Sequence, residues 1–128
     1  MKKYLLLVAM TITLCACQQT LEEQAAKEAK LYTQKNCPAQ LDETLIVDSL
    51  TFEAATHTLH YYYTLIGKAD SVGAVNPQEA RKALVNALKN TTTMMAYKEA
   101  GYRFAYTYKS QKDPRTVLFE TVLTKKDY

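Results

Sequence analysis

Four short segments that read as β-strands, the second and third with alternating side chains, are the feature that most constrains how this chain folds. They cover residues 45–52, 58–66, 102–109 and 116–124. Side chains on a strand point alternately to its two faces, so these segments predict β-strands with one buried face each. Turn-forming stretches, Glu53 to His57 and Gln111 to Arg115, separate the members of each pair. The pattern therefore predicts two β-hairpins.

The region between the two hairpins predicts one long helix. Asn76-Pro77-Gln78-Glu79 has the residue types favoured at the N-cap, N1 and N3 positions. Apolar residues then recur at steps of three and four as far as Met95, and Gly101 suits the left-handed position after a helix end. We expect a helix that runs to Ala100, with a bend or an early end near residues 91–93, because these three threonines have low helix propensity.

Residues 21–35 predict a further helix ahead of the first hairpin. Thr20-Leu21-Glu22-Glu23 is a capping box, and Cys37-Pro38 ends the helix because the residue before proline disfavours the α region. The apolar stripe is narrow and mostly alanine, so this helix either acts as a spacer or docks loosely on the sheet. The whole pattern predicts an α+β fold: an N-terminal spacer helix, then a ββαββ two-layer sandwich. Its sheet is four-stranded and mainly antiparallel, with one long helix on one face.

The first 17 residues have the layout of an export signal. Lys2 and Lys3 precede an apolar run from Tyr4 to Ala16. Leu14-Cys15-Ala16-Cys17 resembles the lipobox of bacterial lipoproteins, with Cys15 a departure at the second position. The resemblance implies cleavage between Ala16 and Cys17 and acylation of the Cys17 sulfur. A spanning anchor is disfavoured, because 13 helical residues reach about 20 Å across a hydrocarbon core of roughly 30 Å. The main alternative to a lipoprotein signal is therefore an ordinary cleaved secretory signal.

The same resemblance implies a location and a division of the chain. Acylated Cys17 would hold the protein to a membrane of the cell envelope, and Gln18 fits transfer to the outer membrane, facing the periplasm, in a source with two membranes. Residues 1–16 are the predicted signal peptide and residues 17–40 a lipidated tether with a short helix. Residues 41–128 are the predicted α+β domain.

Charge and cysteine content exclude several classes of protein. Loss of Lys2 and Lys3 with the signal leaves 14 basic and 13 acidic residues, without a basic cluster along the sequence. This balance argues against a nucleic-acid partner. Cys37 is then the one remaining thiol of the exported part, so an internal disulfide framework is excluded. We expect Cys37 to be inert, because no pattern of His, Lys or Arg residues around it suggests a lowered pKa.

The sequence offers no recognisable catalytic motif or metal site. His57 lies in a turn and His60 on a strand, so a zinc site with Cys37 has little geometric support. The serines lack the glycine context of a nucleophile elbow, and a glycine-rich phosphate loop is missing. We therefore predict no catalytic residues, no metal ligands and no cofactor. A small hydrolase is the least favoured of three functions.

Strand alternation suggests where a partner would bind. Tyr61 and Tyr63 fall on the predicted core side of the sheet. The opposite face then carries the candidate binding residues, which are His60, Tyr62, Arg103, Thr107 and Lys109. Tyrosine and arginine are enriched in binding hot spots, whereas the alternative is an ordinary solvated sheet face. The leading hypothesis is a noncatalytic, lipid-anchored module that binds an envelope protein; the alternative is a structural or assembly subunit without a specific ligand.

Overall fold

A computed structural model describes residues 19–128. The predicted signal peptide, its cleavage site after Ala16 and the predicted lipid attachment at Cys17 lie outside the described residues. The α+β fold class is confirmed. The helices are α1 (Leu21–Asn36), α2 (Pro77–Asn90) and α3 (Met95–Glu99), with one 3₁₀ turn at Gly67–Ala69. The strands are β1 (Ala39–Gln40), β2 (Leu45–Glu53), β3 (Thr58–Leu65), β4 (Arg103–Ser110) and β5 (Val117–Leu123).

The strands form one open sheet in the order β1-β2-β3-β4-β5. Both predicted hairpins, β2–β3 and β4–β5, are present and antiparallel. The hairpins meet through β3 and β4, which are parallel and pair from Thr58 with Arg103 to Leu65 with Ser110. A parallel pair needs a crossover connection, and α2 and α3 supply it. The sheet has five strands rather than the predicted four, because residues 39–40 add a two-residue strand beside β2.

Helix α1 packs directly on the sheet. The sequence left open whether this helix is a spacer or docks on the sheet, and the structure shows that it docks. The Thr20 hydroxyl caps it by accepting a hydrogen bond from the Glu23 N–H, at 3.1 Å. Ala25 and Ala29 are buried in the hydrophobic core, at 0% and 2% exposure. Alanine removes little surface from water, but its small side chain lets a helix backbone approach a sheet closely. The alanine stripe therefore marks a close contact.

The helix predicted to run to Ala100 is interrupted, at the place where the threonines favoured a bend. α2 ends at Asn90 and α3 begins at Met95. The Thr91 hydroxyl donates to the Ala87 carbonyl, and the Lys98 ammonium donates to the Leu88 carbonyl at the end of α2. These bonds satisfy carbonyls that a continuous helix would have paired. Gly101 follows α3 with φ of 76°, as predicted for the left-handed position.

All three helices cover the same face of the sheet. The core on that side is built around Leu59, Phe104 and Leu123, each at most 2% exposed. It includes alanines of α1, Leu88 of α2 and Tyr97 of α3. Within residues 19–128 the opposite face of the sheet, called here the open face, has no covering layer.

Candidate functional site

Four tyrosines form a stacked array on the helix-covered face, called here the tyrosine floor. Tyr61 and Tyr63 come from β3, and Tyr106 and Tyr108 from β4. The parallel register pairs Tyr61 with Tyr106 and Tyr63 with Tyr108. The ring centroids of these pairs lie 5.4 and 4.7 Å apart, with interplanar angles of 7° and 13°. Two adjacent strands thus fix four nearly parallel rings as one stacked array.

The helices leave a groove above this floor. A cavity of about 280 Å³ lies between α2 and the rings of Tyr61, Tyr63 and Tyr106. Leu84 and Met94 are among its walls. Beside the cavity, the Tyr32 ring of α1 meets the Tyr61 ring edge-on, with centroids 6.4 Å apart. The complete lining of the cavity is Tyr61, Tyr63, Leu84, Ala87, Leu88, Thr91, Thr93, Met94, Phe104 and Tyr106.

The hydroxyls of the tyrosine floor have no hydrogen-bond partner among the described residues. Other tyrosines do: the Tyr97 hydroxyl donates to Glu28 at 2.5 Å, and the Tyr128 hydroxyl to the Tyr102 carbonyl at 2.7 Å. Tyr61, Tyr63 and Tyr108 are only half-buried. A tyrosine hydroxyl requires a partner once water is excluded, so these groups can orient a molecule bound in the groove.

Burial keeps the floor uncharged. Desolvation raises the pKa of both Tyr61 and Tyr108 to about 12, and it also raises the pKa of Tyr63 and Tyr106. Phenols with such pKa values keep their protons at neutral pH, so they donate and accept hydrogen bonds and do not act as bases. The groove has the chemistry of a binding site: broad apolar rings with polar tips.

The open face brings together four of the five predicted binding residues. The His60 Nε2 atom is 2.7 Å from the Thr107 hydroxyl, and the Tyr62 hydroxyl is 3.1 Å from His60 Nδ1. The His60 and Tyr62 rings stack with centroids 4.0 Å apart, and the Lys109 Nζ atom lies 5.7 Å from the Tyr62 ring centroid. Both nitrogens of His60 are thus occupied within the protein.

Arg103 stands apart from that cluster. It begins β4 opposite Thr58, and its exposed side chain lines a hollow with Lys125 and Lys126. The binding role of all five residues stays a prediction. Sequence reasoning missed the groove because alternation assigned Tyr61 and Tyr63 to the core. The available signal was that the core-side positions of two strands hold tyrosine, whose hydroxyls need partners that an apolar core does not supply.

The two histidines and the remaining thiol lie in separate places. His57 pairs with Glu22 of α1, with Nε2 and Oε1 2.7 Å apart, whereas His60 belongs to the open face. No three His, Cys, Asp or Glu side chains of residues 19–128 are grouped so that they could hold a metal ion. Burial, and then the nearby Asp48 carboxylate, raise the pKa of Cys37, which agrees with the expectation of an unreactive thiol.

The single sheet with helices on one face defines a two-layer α+β fold. The chain belongs to the family described as "Domain of unknown function (DUF8479)", which matches residues 20–119. A search of the curated proteins gives no match. None of the helices in the described part is long and apolar enough to cross a membrane.

Three solved structures share the fold at low sequence identity. A predicted secreted protein of Pseudomonas aeruginosa is 14% identical with a TM-score of 0.64, covering 86% of this chain and 98% of that chain. The type II secretion system pilotin AspS of Vibrio cholerae is 13% identical with a TM-score of 0.62, covering 84% and 91%. The type 2 secretion system pilotin EpsS of Vibrio vulnificus is 14% identical with a TM-score of 0.65, covering 83% and 89%.

Proposed function

We propose that this protein is a lipid-anchored lipoprotein of the bacterial envelope that binds a partner protein through the groove above the tyrosine floor. The observation that carries the proposal is the floor itself. Three of its four stacked rings line an open groove, and the hydroxyls of all four are unpaired among the described residues. Aromatic rings contribute large contact areas at low entropic cost, which is why they dominate binding hot spots.

The anchoring half of the proposal rests on the lipobox resemblance at Leu14-Cys15-Ala16-Cys17. Its fold relatives support an envelope role, since two of them are pilotins of type 2 secretion systems. We propose a pilotin-like task for this chain: it holds an envelope protein at the membrane by noncatalytic binding. The alternative of an assembly subunit without a specific ligand leaves the unpaired hydroxyls of the groove without a use.

The shape of the groove favours an amphipathic segment as the bound part of the partner. One side of such a segment would pack its apolar side chains on the rings and against Leu84 and Met94. Polar groups at the margin of the segment would form hydrogen bonds with the hydroxyls of Tyr61 and Tyr63. The segment would thus bury apolar surface and satisfy hydroxyls together.

The test is capture of partners from solubilised membranes with the acylated protein as bait. A Tyr61→Phe/Tyr63→Phe variant keeps both rings and removes two hydroxyls. We expect its affinity for the captured partner to fall by about thirtyfold, since each hydrogen bond contributes on the order of 1 kcal/mol. Its thermal midpoint should stay near that of the wild type, because neither hydroxyl bonds to another described residue.

The open face supplies the matched comparison. A Tyr62→Ala/Lys109→Ala variant removes two predicted binding residues that lie together on the other side of the sheet. If only this variant loses binding, the partner binds to the open face and the groove is not the binding site. Binding that survives in both variants, or the absence of any captured protein, would contradict partner binding by either surface.

A further inference from the structure

Three cations line one hollow at the end of the sheet where β4 begins, and this set is called here the basic notch. Arg103, Lys125 and Lys126 line a cavity of about 360 Å³, together with Gly101 and Thr124. All three cationic side chains are exposed.

The charges of the basic notch are uncompensated. None of its three cations takes part in an ion pair within residues 19–128. The nearby acids are already engaged: Glu22 pairs with His57, and Asp127 lies 3.2 Å from Arg81. Glu99 is the remaining acid near Lys125, in the neighbouring hollow that also contains Lys98. The notch therefore attracts anions.

The notch lies at the end of the molecule where α1 begins. Glu22, in the first turn of α1, holds His57 at 2.7 Å. The His57 carbonyl in turn accepts a hydrogen bond from the Arg103 N–H at 2.9 Å. One short path of contacts thus joins the start of the first helix to the notch.

The length of chain before α1 limits how far this end can lie from a lipid attached at Cys17. Only two residues, Gln18 and Gln19, separate Cys17 from the N-cap Thr20. A fully extended chain reaches at most about 3.5 Å per residue, so the tether spans roughly 10 Å. This length is close to the Debye length at physiological salt, within which charges on the protein and on a membrane interact.

We propose that the basic notch binds the phosphate groups of anionic phospholipids in the leaflet that holds the acyl chains, and so sets the orientation of the domain on the membrane. The inference rests on the proposed acylation of Cys17. It adds a second membrane contact to the anchor and directs the opposite end of the sheet, with Lys68 and Lys112, away from the lipid.

Amine labelling of the acylated protein in vesicles tests this orientation. The protein is reconstituted in vesicles of phosphatidylcholine alone or in vesicles rich in phosphatidylglycerol, and the labelling rate of each lysine is measured by mass spectrometry. We expect Lys125 and Lys126 to react about fivefold more slowly in the anionic vesicles, as an attraction of about 1 kcal/mol per basic residue implies. Lys68 and Lys112 should react at the same rate in both.

A matched pair of variants distinguishes the effect of the notch charges from the effect of the overall charge of the protein. The Arg103→Gln/Lys125→Gln/Lys126→Gln variant and the Lys68→Gln/Lys112→Gln/Arg115→Gln variant remove the same charge from opposite ends of the sheet. In the notch variant, the orientation should be lost, so Lys68 and Lys112 should come into contact with lipid and react more slowly. In the other variant, Lys125 and Lys126 should stay protected as in the wild type. Equal effects of the two variants would overturn the inference, as would unprotected notch lysines in acylated protein.

Two further outcomes are distinguishable. Protection of the notch lysines by inorganic phosphate in phosphatidylcholine vesicles would make the notch a site for free phosphate and overturn binding to lipid. Protein that carries no acyl chains and does not float with either vesicle would overturn the anchor of the proposed function. Acylated protein that floats with unprotected notch lysines overturns the orientation alone.

Discussion

Ten tyrosines and no tryptophan give this chain an interior in which most aromatic rings carry a hydroxyl. Two of these hydroxyls have partners within the fold: Tyr97 of α3 bonds to Glu28 of α1, and Tyr128 bonds to the Tyr102 carbonyl. The four tyrosines of the floor lack such partners among the described residues. At the scale of single residues, the proposed function therefore depends on hydroxyls that the described part of the chain leaves free to bond with another molecule.

Asp70 is a second residue with a structural role. Its carboxylate is 4% exposed, accepts a hydrogen bond from the Ser110 hydroxyl, and accepts another from the Lys112 N–H at 3.1 Å. These bonds, with the Ser110 bond as the largest cause, hold the pKa of Asp70 below its ordinary value. They join the 3₁₀ turn at Gly67–Ala69 to the β4–β5 turn.

The depressed pKa predicts acid sensitivity. A carboxyl group whose pKa is lower in the folded protein stabilises it fully above the unfolded value, about 3.9, and this contribution is lost as pH falls through the folded pKa. We expect Asp70→Asn to lower the thermal midpoint at neutral pH and to flatten its decline below about pH 4. Midpoints measured across pH check this, with the exposed Glu43→Gln as the control that should retain the wild-type profile.

At the scale of elements, the sequence predicted what depends on local pattern. Strand alternation located both hairpins, and Asn76 and Pro77 located the start of α2, because such signals act within a few residues. The pairing of β3 with β4 could not be read, since it joins strands about 45 residues apart through a crossover. Strand β1 was missed because two residues cannot display an alternation. The groove needed both the parallel pairing and the positions of the helices.

One threonine joins α1 to the edge of the sheet. The Thr33 hydroxyl donates to the Leu50 carbonyl at 2.8 Å and accepts from the Leu50 N–H at 2.9 Å. β1 pairs with β2 only at Ile46 and Val47, so this side chain satisfies backbone groups that β1 does not reach. The bond also fixes the position of α1 along one side of the groove.

Replacing Thr33 with valine should loosen this helix. Thr33→Val keeps the shape and leaves both Leu50 groups unpaired, so we expect a loss of about 1–3 kcal/mol in the free energy of unfolding. Denaturant titration measures the loss, and hydrogen exchange should speed up in α1 more than in α2. Thr33→Ser retains the hydroxyl and should behave nearly as the wild type; an equal loss in both variants would assign the effect to packing of the methyl group.

At the scale of the whole molecule, the described fold has its helices on one face, a polar network on the other and its first helix beginning at the basic end. The core described above is built from residues of the described part, 19–128. The proposed lipid attachment should therefore determine where the protein is without determining whether it folds. Fold and location are separable properties of this chain.

Mass spectrometry of the processed protein tests that separation. We expect the wild type to begin at Cys17 and to carry acyl mass, and Cys17→Ser to carry none. Both should show the same thermal midpoint and circular dichroism spectrum when measured in the same detergent. A natural product with an unmodified first residue would contradict the anchor, and a Cys17→Ser chain that fails to fold would contradict the separation.

The stacked rings of the floor also give the protein an optical signal. The chain contains no tryptophan, so its intrinsic fluorescence comes from tyrosine alone. Closely stacked phenols exchange excitation energy, and a tryptophan brought into the groove by another molecule would accept it. Complex formation could then be followed in unlabelled material, as fading tyrosine emission and rising tryptophan emission on excitation of the tyrosines.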